Sequence, residues 1–351
     1  MNYLVNKSMK KIISKIKRLG YVFKRHILYD VLSGNFKKPM HFIYCAIKTK
    51  FFDWPYLAMI ETCNFCNLRC PTCTTPHEKM GRSKLMMPLE NYKKVIDNIK
   101  SYISVVLPWF SNEPLLNPNL VEMIKYAHEN NIYTMISTNA VLLNEAKSKE
   151  LLDSGLDEIL LCLDGTTKES YEPFRQGADF DIVLGNIKTF CAFRKKTGRK
   201  KPFVEMQFIL TKLNQNEVED VKKLAKELGI DRLRIKSFAL SEYAYAKNEI
   251  NELSEKFLPN DPKLAEKIRY TKEKSGIEIK NKKTKCDLAS TNIVILADGR
   301  VSICCYDFKG EYIYGNVLKS KLKDFWHLPE IRRKREMAKR RKYDLCGKCA
   351  N

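Results

Sequence analysis

The part of this sequence best suited to chemistry is a set of four cysteines within eleven residues: Cys63, Cys66, Cys70 and Cys73. The last three have the spacing C-x3-C-x2-C and follow an apolar run, residues 57–60, that is typical of a buried strand. Three thiolates on one loop can bind three irons of a cubane iron–sulfur cluster, which normally takes four cysteines. One iron then stays open to an outside ligand. The alternative is structural zinc, because the four cysteines also form two C-x2-C pairs, although only three residues separate them.

The motif, with its surrounding letters CNLRCPTC, resembles that of the radical S-adenosylmethionine (SAM) superfamily. The resemblance implies a [4Fe-4S] cluster on Cys66, Cys70 and Cys73, whose open iron is chelated by SAM. It also implies cleavage of SAM to methionine and a 5′-deoxyadenosyl radical, which abstracts a substrate hydrogen. Many relatives have an aromatic residue just before the last cysteine, where this chain has Thr72.

Polar residues after the later predicted strands resemble the SAM-binding motifs of the same family. The resemblance assigns Glu113 to the SAM amino group, Ser137 to the segment after the third strand, Asp164 to a ribose hydroxyl and Arg175 to the SAM carboxylate. Each is an interpretation by family likeness, and together they predict one SAM site beside the cysteine loop.

The chain departs from the family pattern at several of these positions. Ser111 and Asn112 replace the two glycines before Glu113, Ala140 replaces the glycine of the family's Thr-Asn-Gly, and Cys162 replaces a serine. Glycines allow close backbone approach, so the first replacement puts that approach in doubt. A thiol is also a weaker hydrogen-bonding group than a hydroxyl.

A second set of cysteines lies near the C-terminus: Cys286, Cys304, Cys346 and Cys349. Two predicted strands, 292–297 and 300–305, flank an Asp-Gly turn between the first two cysteines. The spacing resembles SPASM or Twitch domains, and the single set of four fits the one-cluster Twitch form. The resemblance implies a second [4Fe-4S] cluster with no open iron. Zinc is again the alternative; the other cysteines, 45, 191 and 305, are interpreted as ordinary buried thiols.

Alternating strand-like and helical patterns supply the elements that must position these residues. The predicted strands are 57–63, 103–109, 132–137, 158–163, 203–210 and 233–238, and the clearest helices are 88–100, 119–130, 180–196 and 217–228. Such alternation predicts an α/β fold, a partial (β/α)6 TIM-like barrel followed by a small C-terminal α+β auxiliary cluster domain. The expected divisions are a basic amphipathic N-terminal extension (1–54), the radical SAM barrel (55–240), a helical connection (241–285) and the SPASM/Twitch-type domain (286–351).

Composition indicates the cellular compartment and the type of partner. Twelve cysteines without a recognisable signal peptide favour a reducing, cytoplasmic compartment. No apolar run reaches the length of a bilayer span. The formal charge of +22 suggests an anionic partner, or only a lysine-rich proteome. A basic amphipathic helix at 8–19 suggests peripheral contact with an anionic membrane, or packing across the barrel.

No motif in the sequence identifies the substrate. The order of the late cysteines is similar to that in radical SAM dehydrogenases of aminoglycoside biosynthesis, so we predict oxidation or epimerisation of a sugar or cyclitol carbon. Modification of a ribosomal peptide is the alternative, which leaves a small-molecule or peptide substrate. A non-enzymatic iron–sulfur or zinc protein that binds nucleic acid is a third hypothesis, but no recognisable nucleic-acid module supports it. An electron donor such as flavodoxin or ferredoxin is expected.

Overall fold

The protein is described by a computed structural model that covers residues 27–273 and 276–349. Six parallel strands stand side by side in the order of the sequence. They are β1 (Leu57–Ile60), β2 (Val105–Leu107), β3 (Tyr133–Thr138), β4 (Glu158–Cys162), β5 (Phe203–Leu210) and β6 (Arg232–Ser237). The predicted partial barrel is confirmed, with every predicted barrel strand in place; β1, β2 and β4 are shorter than predicted.

Helices cover the outer face of this sheet because its strands have apolar residues on that side. They are α3 (Leu89–Ile99), α4 (Leu120–Glu129), α5 (Glu145–Asp153), α6 (Lys168–Tyr171), α7 (Phe180–Lys196) and α8 (Val218–Glu227). Local signals set their ends: the Asp179 carboxylate accepts the first free N–H groups of α7, and basic residues fill its last turn. All four predicted helices are present within a residue or so of their expected limits.

The C-terminal segment extends the barrel sheet. Strand β9 (Asn292–Ile295) pairs in parallel with β1, and β10 (Arg300–Ser302) and β11 (Ile313–Asn316) follow it in antiparallel order. The predicted hairpin is therefore present, but its pairing with the first barrel strand was not expected. Four helices complete the segment: α10 (Leu288–Thr291), α11 (Leu322–Trp326), α12 (Pro329–Lys339) and α13 (Asp344–Gly347). One hydrophobic core joins residues of this segment to the barrel.

The connection between the two parts is less helical than the sequence suggests. It contains α9 (Lys247–Phe257) and a two-stranded antiparallel sheet, β7 (Tyr270–Glu273) with β8 (Gly276–Ile279). Phe238, Phe257 and Tyr270 form a separate small core that attaches this sheet to the end of β6.

The described part of the N-terminal extension, residues 27–54, packs on the barrel at the end where the strands begin. It contains α1 (Tyr29–Leu32) and α2 (Lys37–Phe52). Lys38, a buried residue of α2, donates to Asp157 just before β4 at 2.6 Å, and Lys201 bridges Asp157 and Asp30 at 2.6 Å each. Burial of these four charges is tolerated because two positive groups neutralise two negative ones. The amphipathic helix expected at 8–19 lies outside the described residues.

Within the described part of the chain, no helix combines the length and the apolar character needed to cross a bilayer.

Candidate active site

The cysteine loop leaves β1 at the end of the barrel where chemistry is expected. Residues 62–64 are held by a returning segment, through a bridge between Cys63 and Met86 and hydrogen bonds between Asn64 and Leu85. The buried carboxylate of Glu61 accepts both terminal nitrogens of Arg82, at 2.6 and 2.8 Å, and the backbone N–H of Ala297 at 3.0 Å. The start of the loop is therefore fixed from both the barrel and the C-terminal segment.

Three of the four thiols in the loop, those of Cys66, Cys70 and Cys73, interact electrostatically with one another. Burial raises the pKa of Cys66 to about 12, and the neighbouring thiols of Cys73 and Cys70 add to that effect. Burial also raises the pKa of Cys70, against the opposing positive charge of Arg175. Each thiol must lose its proton before it can bind a metal, so metal binding at this loop would release protons.

Cys63 has a different environment. Its thiol is fully buried and donates toward the carbonyl oxygens of Glu113 and Phe65, while Asn112 donates to its sulfur at 3.3 Å. Among the residues that the structure describes, no three His, Cys, Asp or Glu side chains converge on one point as ligands of a single ion would. The engagement of Cys63 with backbone carbonyls does not match the paired C-x2-C units of the zinc alternative.

Glu113 lies beside the loop and links it to the end of β3. One carboxylate oxygen accepts from Thr138 Oγ1 at 2.8 Å and from Leu115 N at 3.1 Å, and the other accepts from Asn139 N at 2.8 Å. Burial raises the pKa of Glu113 to about 7, although these hydrogen bonds favour the ionised form. A buried carboxyl whose ionised form is supported by three hydrogen bonds is suited to accept a cationic or N–H group of a ligand.

The departures from the family pattern have different consequences. Ser111 and Asn112 keep negative φ angles, so their backbone needs no glycine, and Asn112 uses its side chain to bind Thr62 and Cys63. Ala140 instead adopts φ of +62°, the left-handed region that glycine favours. The chain thus keeps the backbone turn of a Thr-Asn-Gly segment without the glycine.

Asp164 and Arg175, both expected to contact SAM, contact each other. Arg175 Nε donates to Asp164 Oδ2 at 2.6 Å, and Nη1 lies 3.8 Å from the sulfur of Cys70. Although burial disfavours a charged guanidinium, Asp164 and Cys70 raise the pKa of Arg175. The other oxygen of Asp164 accepts from Ile209 N at 2.5 Å. The pair therefore joins the ends of β4 and β5 to the cysteine loop.

Ser137 is placed inside the barrel, with its hydroxyl 3.6 Å from the sulfur of Cys162. Gln207 Nε2 lies 3.7 Å from the same sulfur. These three residues line the interior below the loop.

Two further residues, Tyr245 and Asn139, hold the loop through hydrogen bonds. The sequence patterns gave no reason to select Tyr245. Tyr245, in the connection, donates its hydroxyl toward the carbonyls of Pro71 and Cys73, at 3.1 and 2.8 Å. Asn139 donates to Asn67 Oδ1 at 2.9 Å. Asn139 belongs to a recognisable motif, whereas the aromatic residue before α9 carries no local signal.

The second cysteine set surrounds a cavity. Its lining contains all four predicted residues, Cys286, Cys304, Cys346 and Cys349, and otherwise mainly apolar side chains. Cys305, interpreted from sequence as an ordinary thiol, lines the same cavity. The charges of Cys349 and Cys286 act on Cys305, whose pKa burial raises to about 11. Five thiols around one apolar cavity fit an iron–sulfur cluster with four thiolate ligands.

Comparison with protein families gives two matches along the chain. The family model of the radical SAM superfamily matches residues 60–238, and that of an iron–sulfur cluster-binding domain, SPASM, matches residues 286–350. The first match begins at the last residue of β1 and contains the cysteine loop and strands β2 to β6, and the second contains the cavity with five thiols.

Among curated proteins, the chain is 22% identical over 311 residues to a tungsten-containing aldehyde ferredoxin oxidoreductase cofactor-modifying protein of Pyrococcus furiosus, which covers 83% of this chain and 86% of that protein. It is 28% identical over 190 residues to the PqqA peptide cyclase of Bradyrhizobium diazoefficiens, across 52% of this chain and only 47% of the cyclase. Among solved structures, Streptococcus suis SuiB bound to SAM superposes with a TM-score of 0.58 at 16% identity, over 93% of this chain and 78% of SuiB.

Proposed function

Since this chain belongs to the radical SAM superfamily, we propose that it cleaves SAM reductively and uses the product to abstract a hydrogen atom from a substrate. Its cofactors are SAM and two [4Fe-4S] clusters, one for each matched region. When bound, the first cluster and SAM supply a 5′-deoxyadenosyl radical. We assign that cluster to Cys66, Cys70 and Cys73, and the second to Cys286, Cys304, Cys346 and Cys349.

The observation that carries this assignment is the convergence of several strand ends on the cysteine loop. Glu113 N donates to Phe65 O at 3.1 Å, Asn139 reaches Asn67, and Arg175 reaches Cys70. These hydrogen bonds and contacts hold the loop in one position. In the proposal, Glu113 accepts from the SAM amino group, and the Asp164–Arg175 pair orients the rest of the ligand.

Release of 5′-deoxyadenosine tests this function. Protein reconstituted without oxygen and given a reductant should release it, and a Cys66/Cys70/Cys73→Ala variant should not. Cys63→Ala is the matched control, because Cys63 lies in the same loop but donates to backbone carbonyls. Loss of activity in Cys63→Ala with full activity in the triple variant would remove the assignment.

The class of substrate is a separate proposal. The predicted sugar or cyclitol substrate is not confirmed, and the comparisons favour its alternative, modification of a peptide, because the PqqA peptide cyclase is among the relatives. We therefore propose a peptide substrate first and an oxidoreductase-like reaction on it. Peptides encoded beside the gene should accelerate 5′-deoxyadenosine release and change in mass. If sugars accelerate the release and peptides do not, a sugar or cyclitol substrate would be favoured over a peptide.

An electron donor is required by this chemistry, and the charge of the chain suggests its type. With a formal charge of +22, the protein attracts small acidic donors such as flavodoxin or ferredoxin. Reduction by either should slow steeply as salt is raised, because the attraction is screened.

Peripheral contact with an anionic membrane is proposed for the N-terminal extension. The outward face of α2 and its flanks exposes seven large apolar side chains, each 48–67% accessible: Phe36, Met40, Ile43, Tyr44, Ile47, Phe51 and Phe52. The first 52 residues also contain twelve Lys and Arg but a single acidic residue, Asp30. An apolar stripe within a basic segment fits the surface of an anionic bilayer.

Vesicle sedimentation tests this contact. The full chain should bind vesicles with phosphatidylglycerol more strongly than neutral ones, and Met40/Ile47/Phe51→Ser should weaken that binding. The control is Leu85/Ile182/Leu328→Ser, which removes exposed apolar side chains elsewhere. Equal binding by the two variants would show that α2 is not the contact, and association of the chain with itself through α2 would identify a second copy as the occupant.

A further inference from the structure

The inner face of β6 is unusually cationic. Leu233 and Ile235 pack with the apolar residues of the outer layer. Because successive side chains of a strand point to opposite faces, Arg232, Arg234 and Lys236 line the interior of the partial barrel. This wall forms the far side of the chamber from β1, where the cysteine loop begins.

Nearby carboxylates only partly balance these cations. Glu205, buried on β5, is shared between two of them: it lies 2.5 Å from Arg234 Nε and 3.5 Å from Arg232 Nη1. Asp164, the next acidic group along the wall, is engaged by Arg175. Among the described residues, no carboxylate is within ion-pair distance of Lys236 Nζ.

Lys236 lies at the level of the candidate active site. It stands opposite Ile209 in the sheet, and the N–H of Ile209 donates to Asp164. Burial lowers the pKa of Lys236, as does the charge of Arg234, whereas Cys162 and the carboxylates act in the opposite direction. The protein thus keeps an ammonium group partly buried beside its reaction chamber, which is costly unless an anion accompanies it.

We propose that Arg234 and Lys236 form a subsite for an anionic group of the substrate, a phosphate or a carboxylate. The inference rests on the proposed function and adds the charge of the substrate to it. A guanidinium offers paired donors to such a group and an ammonium offers a compact charge. Gln207, opposite Arg234 in the sheet, is placed to contribute a neutral hydrogen bond. A substrate with an acidic or phosphorylated group fits this wall, and a wholly neutral one does not.

Anion binding to the reconstituted full chain tests the subsite. The probes are inorganic phosphate and N-acetylglutamate amide, titrated by calorimetry against wild type, Lys236→Gln and Lys226→Gln. Lys226 is the control because it is an exposed lysine on α8 and its replacement changes the net charge equally. We expect Lys236→Gln to weaken anion binding roughly tenfold or more, the effect of losing a charged hydrogen bond, with Lys226→Gln like wild type. The probe that binds more tightly identifies the source as a phosphorylated substrate or an acidic peptide.

Two results would overturn the subsite. One is anion binding that is absent from wild type or unchanged in Lys236→Gln. The other is an equal loss of SAM affinity in Lys236→Gln, which would assign the lysine to SAM. Uncoupled 5′-deoxyadenosine release should stay at the wild-type level in Lys236→Gln. Failure of that release in wild type would count against the proposed function and not against the subsite.

Discussion

Protonation of Glu113 should make SAM binding depend on pH. Burial raises the pKa of this carboxyl to about 7, so the group is largely neutral at pH 6 and largely ionised at pH 8. If only the ionised form accepts from the SAM amino group, apparent affinity scales with the ionised fraction. That fraction falls roughly tenfold from pH 8 to pH 6, equivalent to about 1.4 kcal/mol.

The assay is equilibrium binding of SAM to reconstituted protein at several pH values. Because SAM titrates by itself, the informative quantity is the ratio of dissociation constants for Glu113→Gln and wild type. Glutamine resembles the protonated carboxyl, so the ratio should be about tenfold larger at pH 8 than at pH 6. Unfolding midpoints of both proteins check that the variant folds. A ratio that does not change between these pH values would refute the role of Glu113.

A second variant tests the direction of the effect. Thr138 Oγ1 donates to Glu113 at 2.8 Å, and this hydrogen bond lowers the pKa of the carboxyl. Thr138→Val should therefore raise the pKa, and the loss of SAM affinity should begin at a higher pH than in wild type. A shift to lower pH would contradict the proposed electrostatics.

The remaining predictions concern the second cysteine set and the strained turn. Cys304→Ala should lose the second cluster but retain uncoupled 5′-deoxyadenosine release. Cys305→Ala should keep the iron of the second cluster. The opposite pattern would make Cys305 the ligand in place of Cys304. Ala140→Gly should relieve about 1–2 kcal/mol of left-handed strain and lose about 0.8 kcal/mol of methyl burial, leaving stability equal or slightly higher. Ala127 is buried within α4, and Ala127→Gly should instead lower the free energy of unfolding by about 2 kcal/mol. An equal loss in Ala140→Gly and Ala127→Gly, measured by denaturant unfolding, would contradict the strain at Ala140.

The longest barrel strand could be placed from the sequence at both ends. β5 has the same limits, 203–210, as the strand predicted there. Gly229 follows α8 with φ of +66°, as expected for a residue that ends a helix. Such signals are local, because the side chains and turn residues that produce them lie within a few positions of one another.

Features that depend on distant contacts could not be placed in this way. The pairing of β9 with β1 joins residues more than 230 positions apart, and no local pattern specifies it. The position of Cys305 beside the second cysteine set could not be predicted for a related reason. Adjacent residues of a strand point to opposite faces, but β10 ends at Ser302, so Cys304 and Cys305 reach the same cavity. The clamp made by Tyr245 likewise depends on how the connection folds back over the loop.

The iron content of the reconstituted chain tests the central claim most directly. Two cubane clusters require about eight irons per chain. Cys66/Cys70/Cys73→Ala should leave about four, held by the C-terminal set, and Cys63→Ala should leave about eight. Stoichiometric zinc without iron in the wild-type protein, or full iron in the triple variant, would contradict the account.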